Sequence, residues 1–278
     1  MNRKDNSNGH LKIIAIVIAI ALAVSIISLM LFTAQTVTDV LYSNKKTNNT
    51  THVNNKIEKT QGQVPKNLEL KLYSGEIEIV EGEKFSFETN VPEIETKVDG
   101  DKLSIVDNRK HSTVGDGVVK IFLPKNKTFK NASVEVGAGN FKLNGLKCEK
   151  LDLKVGAGKM ILENLTVTES ANIDSGAGKT TFNECNIKNP EISIGAGYFE
   201  YDGKLYGKIQ IDHGLGKALF NIDGKKSDYA IQTDSGLGTM KIDGEPLSDD
   251  LINKFNSKAY NKILIESGIG KIELDFNE

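Results

Sequence analysis

The segment Gly176-Ala177-Gly178-Lys179-Thr180-Thr181 is the part of this 278-residue chain that most resembles a catalytic motif. Glycines followed by Lys and Thr end the phosphate-binding loop of nucleotide hydrolases, where backbone N–H groups hold phosphate and the Thr hydroxyl holds Mg²⁺. That loop needs a further glycine at position 173, which is Ile here. It also needs a following helix to bind phosphate at its N-terminus, whereas the next residues read as a strand. We therefore predict no nucleotide site.

Charged residues flank most of the seven Gly-x-Gly tripeptides to which Gly176 belongs. Two positions before the first glycine stand Glu135, Lys154, Asp174, Ser193, Asp212, Asp234 and Glu266, and directly after the second stand Asn140, Lys159, Lys179, Tyr198, Lys217, Thr239 and Lys271. Carboxylates could bind Ca²⁺, but the calcium-binding Gly-Gly-x-Gly-x-Asp repeat is absent. We expect ion pairing between these acid and lysine columns, and we predict no metal ion and no cofactor.

The residue types needed for catalysis are sparse. The four histidines are His10, His52, His111 and His213, and none can be placed in a Ser-His-Asp or Cys-His arrangement. His213 lies where other repeats have Val, Ile or Ser, which indicates a tolerated, half-buried substitution. Cys148 and Cys185 lie two repeats apart, about 9–10 Å along a stack of strands and beyond disulfide reach. We predict isolated thiols and no enzyme activity.

Composition excludes some partners. The chain has 35 basic and 37 acidic residues, a formal net charge of −2, and no concentrated basic face for nucleic acid. It has no Trp and few other aromatic residues, which argues against a carbohydrate-stacking groove. We predict no nucleic-acid partner, whereas an unidentified protein or glycan ligand stays open, as does the oligomeric state.

The Gly-x-Gly tripeptides recur with a period near 20, because successive copies are 19, 20, 19, 19, 22 and 32 residues apart. Their glycines are Gly137, Gly139, Gly156, Gly158, Gly176, Gly178, Gly195, Gly197, Gly214, Gly216, Gly236, Gly238, Gly268 and Gly270. The positions five and three before, and four and six after, each first glycine are mostly apolar, which is the period of a strand. The repeat therefore predicts an all-β fold, a β-solenoid of the parallel β-helix or β-roll kind, with a glycine bend in each coil.

The residue between the two glycines is also apolar. It is Ala138, Ala157, Ala177, Ala196, Leu215, Leu237 or Ile269. A small apolar residue at a corner suggests that the bend points inward, since glycine permits backbone angles that strain other residues. We expect the coils to stack in sequence order, so that the coil around Gly268 closes the stack.

The N-terminal part predicts a membrane anchor. Residues 13–32 form an uncharged apolar run long enough to span a bilayer as a helix. The run exceeds the usual core of a cleaved signal peptide, which is the alternative. Basic residues are nearer to its N-terminal side, so the positive-inside rule predicts a cytoplasmic tail over 1–12 and an external C-terminal part.

The rest of the chain divides by composition. Residues 33–64 are polar and predict a flexible linker, and residues 65–278 predict one β-domain. Within it, 65–130 read as less regular N-terminal coils that cap the stack, and 131–278 contain the repeats. The long interval before Gly268 contains a stretch near 247–257 that predicts a short helical insertion, capped by Ser248.

This pattern resembles a bacterial family of unknown function labelled "putative adhesin". The resemblance rests on the anchor, the strand ending Ile121-Phe122-Leu123-Pro124, the spaced Gly-x-Gly bends and the closing segment from Ile265 to Ile272. It implies a non-enzymatic protein of the bacterial cell membrane, crossing the bilayer once through residues 13–32, which acts in adhesion or envelope interaction. An accessory role in an envelope stress response is the alternative, and a glycan-active β-helix enzyme ranks third.

Overall fold

A computed structural model of the chain describes residues 64–109, 117–247 and 258–277. The chain divides into two units, Met1–His52 and Val53–Glu278, and every described residue belongs to the second unit. The predicted tail (1–12), membrane helix (13–32), nearly all of the predicted linker (33–64) and residues 248–257 of the predicted insertion lie outside the described residues. Within the described ranges, no helix is long and apolar enough to cross a membrane.

The described fold is all-β, as predicted, and is dominated by long parallel strands in one hydrogen-bonded sheet. A 3₁₀ turn covers Lys226–Asp228. The strands are β1 (Asn67–Gly82), β2 (Ser86–Thr89), β3 (Ile94–Asp99), β4 (Lys102–Asp107), β5 (Val118–Pro124), β6 (Thr128–Asn144), β7 (Lys147–Glu163), β8 (Thr166–Lys188), β9 (Pro190–Tyr206), β10 (Lys208–Asp223), β11 (Tyr229–Ser235), β12 (Thr239–Ile242), β13 (Glu245–Pro246) and β14 (Asn261–Asn277).

Burial along one repeat shows how each long strand closes around a core. Alternate residues are buried from Ala132 to Val136, which is the period of a strand with one covered face. Before the next repeat, this alternation is interrupted three times, because an odd number of positions separates two successive buried residues. Each interruption marks a corner of the coil, on both sides of which the buried residues face the core. The buried pairs across these corners are Val136 and Phe141, Leu143 and Leu146, and Cys148 and Leu151. The coil is therefore three-sided, with the Gly-x-Gly bend at one corner.

Successive coils from β6 to β10 stack in register at their bends, with register shifts between Cys148 and Lys150 and between Phe182 and Cys185. The second glycines of the bends pair directly, Gly139 with Gly158, Gly158 with Gly178, and so on to Gly216. Equivalent core residues therefore lie above one another, about 4.8 Å apart. The rings of Phe182, Tyr201 and Phe220, which pair in register, follow this pattern, with centroids 5.6 and 6.4 Å apart. Such buried side chains contribute about 1.5–3 kcal/mol each.

The stacking order at the C-terminal end differs from the prediction. β14 lies between β10 and the coil formed by β11 and β12, so the C-terminal coil does not close the stack. The short strand β13 pairs antiparallel with β12. A strand in the middle of a sheet is hydrogen-bonded on both edges. Placing the chain end one coil inside the stack therefore ties it down where an outermost strand would fray.

The N-terminal end has the same arrangement. β1 is a full coil that pairs with β6 on one side and with β4 and β5 on the other. Its corner is the degenerate tripeptide Tyr73-Ser74-Gly75, in which Gly75 pairs with Gly139. The predicted N-terminal coils thus include one complete member of the stack, which the glycine pattern did not reveal. The predicted capping is made by β2 and β3, which pair antiparallel with β5 and β4.

The prediction that the corner residues point inward is wrong. None of the residues between the two glycines is buried, and Leu237 is 76 % exposed. The glycines explain the geometry, because a Cβ at Gly156 would lie 2.4 Å from the carbonyl oxygen of Gly137. A Cβ at Gly158 would lie 2.1 Å from that of Gly139, at a φ of +116°. Glycine is thus required where coils approach each other, and the residue between the glycines projects outward.

Candidate functional site

The segment that resembles a phosphate loop is part of the solenoid. Gly176 to Thr181 lie inside β8 and form the bend of that coil. Thr180 is buried and its hydroxyl lies 2.7 Å from the hydroxyl of Ser175, on the inner side of the corner. A hydroxyl in that position faces the core, so it is not presented to a ligand.

The other side chains that could take part in catalysis are also buried. His213 is 3 % exposed, more deeply buried than predicted. Its Nδ1 lies 3.4 Å from the Ser267 hydroxyl, its Nε2 has no partner, and burial lowers its pKa. Cys148 and Cys185 are free, as the spacing predicted, and both are buried, which raises the pKa of each thiol to about 12. All three side chains therefore face the core of the solenoid.

The acid and lysine columns were predicted to form ion pairs with each other, but they do not. Lys217 and Lys271 both form ion pairs with Glu273. Among the described residues, Asp212, Asp234 and Glu266 form no ion pair, because their side chains point outward on the other side of the corner. They line a shallow, open groove of about 610 Å³ with Asp174 and Ser193. No cluster of His, Cys, Asp or Glu in the described part of the chain has the geometry of a metal site.

A second depression has the chemistry of a ligand site. It lies on another side of the solenoid, has a volume of about 480 Å³, and is lined by Asn186, Lys204, Tyr206, Tyr260 and Asn261. We call this surface the tyrosine depression. Tyr260 is 77 % exposed, which is unusual for an aromatic ring. The stack of β8 and β9 positions Asn186 opposite Lys204.

Hydrogen bonding orients the polar groups of the tyrosine depression. The backbone N–H of Gly207 donates to Oδ1 of Asn261 at 2.9 Å. Among the described residues, neither N–H bond of the Asn261 Nδ2 has an acceptor, so both can donate to a ligand. Lys204 adds a positive charge, with its Nζ 6.0 Å from the ring centroid of Tyr206. The depression thus combines aromatic surface with hydrogen-bond donors.

Sequence reasoning missed this depression. Tyr206 and Tyr260 are 54 positions apart, and β14, which Tyr260 directly precedes, reaches this part of the stack only because it lies next to β10. The scarcity of aromatic residues pointed away from such a groove, but composition does not indicate which of them are exposed together. The one indication in the sequence was that Tyr206 is at an outward-facing position of its strand, in a coil whose inward-facing residues are apolar.

The solved structures that are similar to this chain at low scores include the following three. They are a "putative cell adhesion protein" from Clostridium sporogenes (17% identity, TM-score 0.37, covering 81% of this chain and 100% of that one), a "putative adhesin" from Bacteroides fragilis (12%, 0.31, 78% and 95%), and a "putative adhesin" from Parabacteroides distasonis (12%, 0.28, 80% and 96%). Scores this low carry no information on function.

No curated protein sequence matches the chain. The family comparison does give a match, described as Toastrack DUF4097, and it extends over residues 42–275. This match covers the whole stack of coils from β1 to β14 almost to its last residues. The chain therefore belongs to the Toastrack DUF4097 family, a family of unknown function, and the resemblance to a bacterial family of that kind is confirmed.

Proposed function

We propose that this chain is a non-enzymatic, single-pass protein of the bacterial cell membrane that displays the solenoid outside the cell. There it acts as an adhesin-like protein, binding a glycan of the cell envelope or of an external surface through the tyrosine depression. The observation that carries this proposal is the exposure of Tyr260 beside Tyr206 and three amide or ammonium donors.

The chemistry of the depression favours a sugar. The C–H bonds on one face of a pyranose carry partial positive charge and pack against the negative face of an aromatic ring. Sugar hydroxyls accept hydrogen bonds from amides and ammonium groups, which Asn186, Asn261 and Lys204 supply. The volume of about 480 Å³ lies within the range of small-ligand sites. A peptide ligand would instead give binding of the displayed chain to cell surfaces that added free sugars do not inhibit.

The anchoring part of the proposal rests on sequence. Residues 13–32 are uncharged and apolar, and the basic residues Arg3, Lys4 and Lys12 precede them. These features favour an N-terminus in the cytoplasm. Cysteines added one at a time test this orientation. In intact cells, a membrane-impermeant maleimide should label Asn186→Cys. It should label Ser7→Cys only after the cells are lysed. The reverse pattern, or release of the chain from the membrane by high salt, would contradict the anchor.

The binding test uses cells that display the full chain, probed with an array of cell-wall and external glycans. We expect Tyr260→Ala to lower glycan binding at least tenfold, because the aromatic stacking surface is lost. Tyr73→Ala is the matched control, since Tyr73 is also exposed (51 %) but lies at the corner of β1, remote from the depression. Equal binding by wild type and Tyr260→Ala, or binding to no surface at all, would refute the proposal.

A further inference from the structure

The outermost residues of the Gly-x-Gly corner change character along the stack. In β6 to β9 the residue between the glycines is alanine, and in the next three coils it is Leu215, Ile269 and Leu237. Because β14 lies between β10 and the β11–β12 coil, these three are neighbours in that order. Ile269 and Leu237 are 43 and 76 % exposed, and Leu215 is half-buried. We call this contiguous apolar surface the aliphatic ridge.

Opposite charges border the aliphatic ridge. Asp212, Glu266 and Asp234 lie on one side, exposed and without ion pairs among the described residues, in the groove of about 610 Å³. On the other side lie Lys217 and Lys271, half-buried and paired to Glu273. A single-sign border would suit a foreign partner of opposite charge. An apolar strip with acids on one side and lysines on the other is instead complementary to itself.

We propose that the aliphatic ridge binds the ridge of a second copy of this chain, in a parallel dimer whose two-fold axis runs along the solenoid. Rotation about that axis places each coil opposite its own copy, so Leu215, Ile269 and Leu237 meet their equivalents. The same rotation exchanges the two borders. Asp212 then faces Lys217 of the second copy, and Glu266 faces its Lys271.

Charge disfavours the antiparallel arrangement. A two-fold axis across the ridge would keep the acid border on the same side in both copies. Asp212 would then face Asp234 of the second copy, and Glu266 its own equivalent, and such like-charge contacts disfavour association. The parallel dimer also directs both N-termini the same way, as two chains anchored in one membrane require. This last point rests on the proposed function, whereas the complementarity does not.

The ridge is short, so the dimer should be weak in dilute solution. Three aliphatic side chains per copy make an interface smaller than the roughly 1,200 Å² of standard stable complexes. Confinement in a membrane raises the effective concentration and favours the dimer without further contacts. The test therefore uses the full chain in membranes and a covalent readout.

The test is disulfide cross-linking of Leu215→Cys after mild oxidation, read on a non-reducing gel. The native thiols Cys148 and Cys185 are buried and supply no background. We expect a covalent dimer from Leu215→Cys and from Ile269→Cys, and at least tenfold less from the control Asn186→Cys on another side of the solenoid. Equal cross-linking of the control would indicate random collision and overturn the proposal.

Orientation has its own test. Chains carrying Leu215→Cys and differently tagged chains carrying Leu237→Cys are expressed together. In the parallel dimer these positions are two coils, about 10 Å, apart, so mixed dimers should be rare. Mixed dimers in excess of the Leu215→Cys homodimer would establish the antiparallel arrangement and overturn the proposal.

Charge reversal tests the borders. Asp212→Lys in the Leu215→Cys chain should lower the dimer yield at least fivefold, because the new lysine faces Lys217. Glu191→Lys, an exposed reversal outside the ridge, should leave the yield unchanged. Equal yields from both reversals would refute the acid–lysine contacts. Failure of glycan binding would leave all these results unaffected, so the two proposals fail separately.

Discussion

The corner glycines are the positions at which one added methyl group should destabilise the fold most. Gly158→Ala places a Cβ 2.1 Å from the carbonyl oxygen and 2.9 Å from the nitrogen of Gly139. Both atoms belong to the backbone of the neighbouring coil, so no side-chain rotation relieves the contact. The φ of +116° adds strain, because residues with a side chain rarely adopt it.

The magnitude follows from two separate contributions. Over-packing costs about 1–3 kcal/mol, and the strained backbone costs about 1–3 kcal/mol, so we expect a loss of ~4 kcal/mol for Gly158→Ala. Gly156→Ala isolates the contact, since its Cβ would lie 2.4 Å from the Gly137 oxygen without a positive φ; we expect ~2 kcal/mol. Gly100→Ala isolates the backbone, with a φ of +55° and open space around it, and should cost about 1 kcal/mol.

The assay is urea unfolding of the full chain in a mild detergent, followed by far-UV circular dichroism. The free energy of unfolding should fall in the order Gly100→Ala, Gly156→Ala, Gly158→Ala, with unchanged slopes against urea. If Gly158→Ala were within about 0.5 kcal/mol of Gly100→Ala, a difference typical of surface substitutions, the close approach of coils would not be what requires glycine.

Three further substitutions test the polar groups inside the fold. Asp107→Asn should destabilise the protein by about 3 kcal/mol, because it leaves the Arg109 guanidinium, which donates from Nε at 2.9 Å, without its counter-charge. Burial alone would raise the pKa of Asp107, but hydrogen bonds from Arg109 lower it, so this stabilisation should be lost in a titration as pH falls through the lowered pKa. Thr180→Val should cost about 1–2 kcal/mol by leaving the Ser175 hydroxyl unpaired, and the double variant with Ser175→Ala should recover part of it. Burial lowers the pKa of His213, so as pH falls below about 6.5 the unfolded chain gains a proton before the folded chain does, and the free energy of unfolding decreases. Unfolding curves of His213→Ile should lack this decrease.

How far the sequence predicts the fold can be judged at the two ends of the solenoid. The apolar columns around Gly137 to Gly216 predict coils and core together, because stacking in sequence order brings like positions into register. At Gly236 and Gly268 the columns are just as regular, but they do not indicate which of the two coils lies at the end of the stack. The degenerate corner at Tyr73 has one glycine of the two and escapes the pattern altogether.

The candidate site shows the same limit. The sequence predicted that His213 and the two cysteines are partly buried, and the structure places each of them facing the core. It did not predict that Tyr260 lies beside Tyr206, or that Ile269 lies between Leu215 and Leu237. Those contacts depend on pairing between segments distant in sequence.

The sequence by itself determined the local structure of this protein: strand alternation, glycine corners, the inward and outward columns, and membership of a stacked β architecture. These follow from side-chain periodicity and from the room that each backbone position has. Only the tertiary structure decided the order of the coils and therefore which exposed side chains are neighbours. The reason is that every coil presents nearly the same edge of N–H and C=O groups and the same apolar columns, so each coil can pair about equally well with any other coil. Chain connectivity and the need to pair the terminal strands on both edges select the actual one.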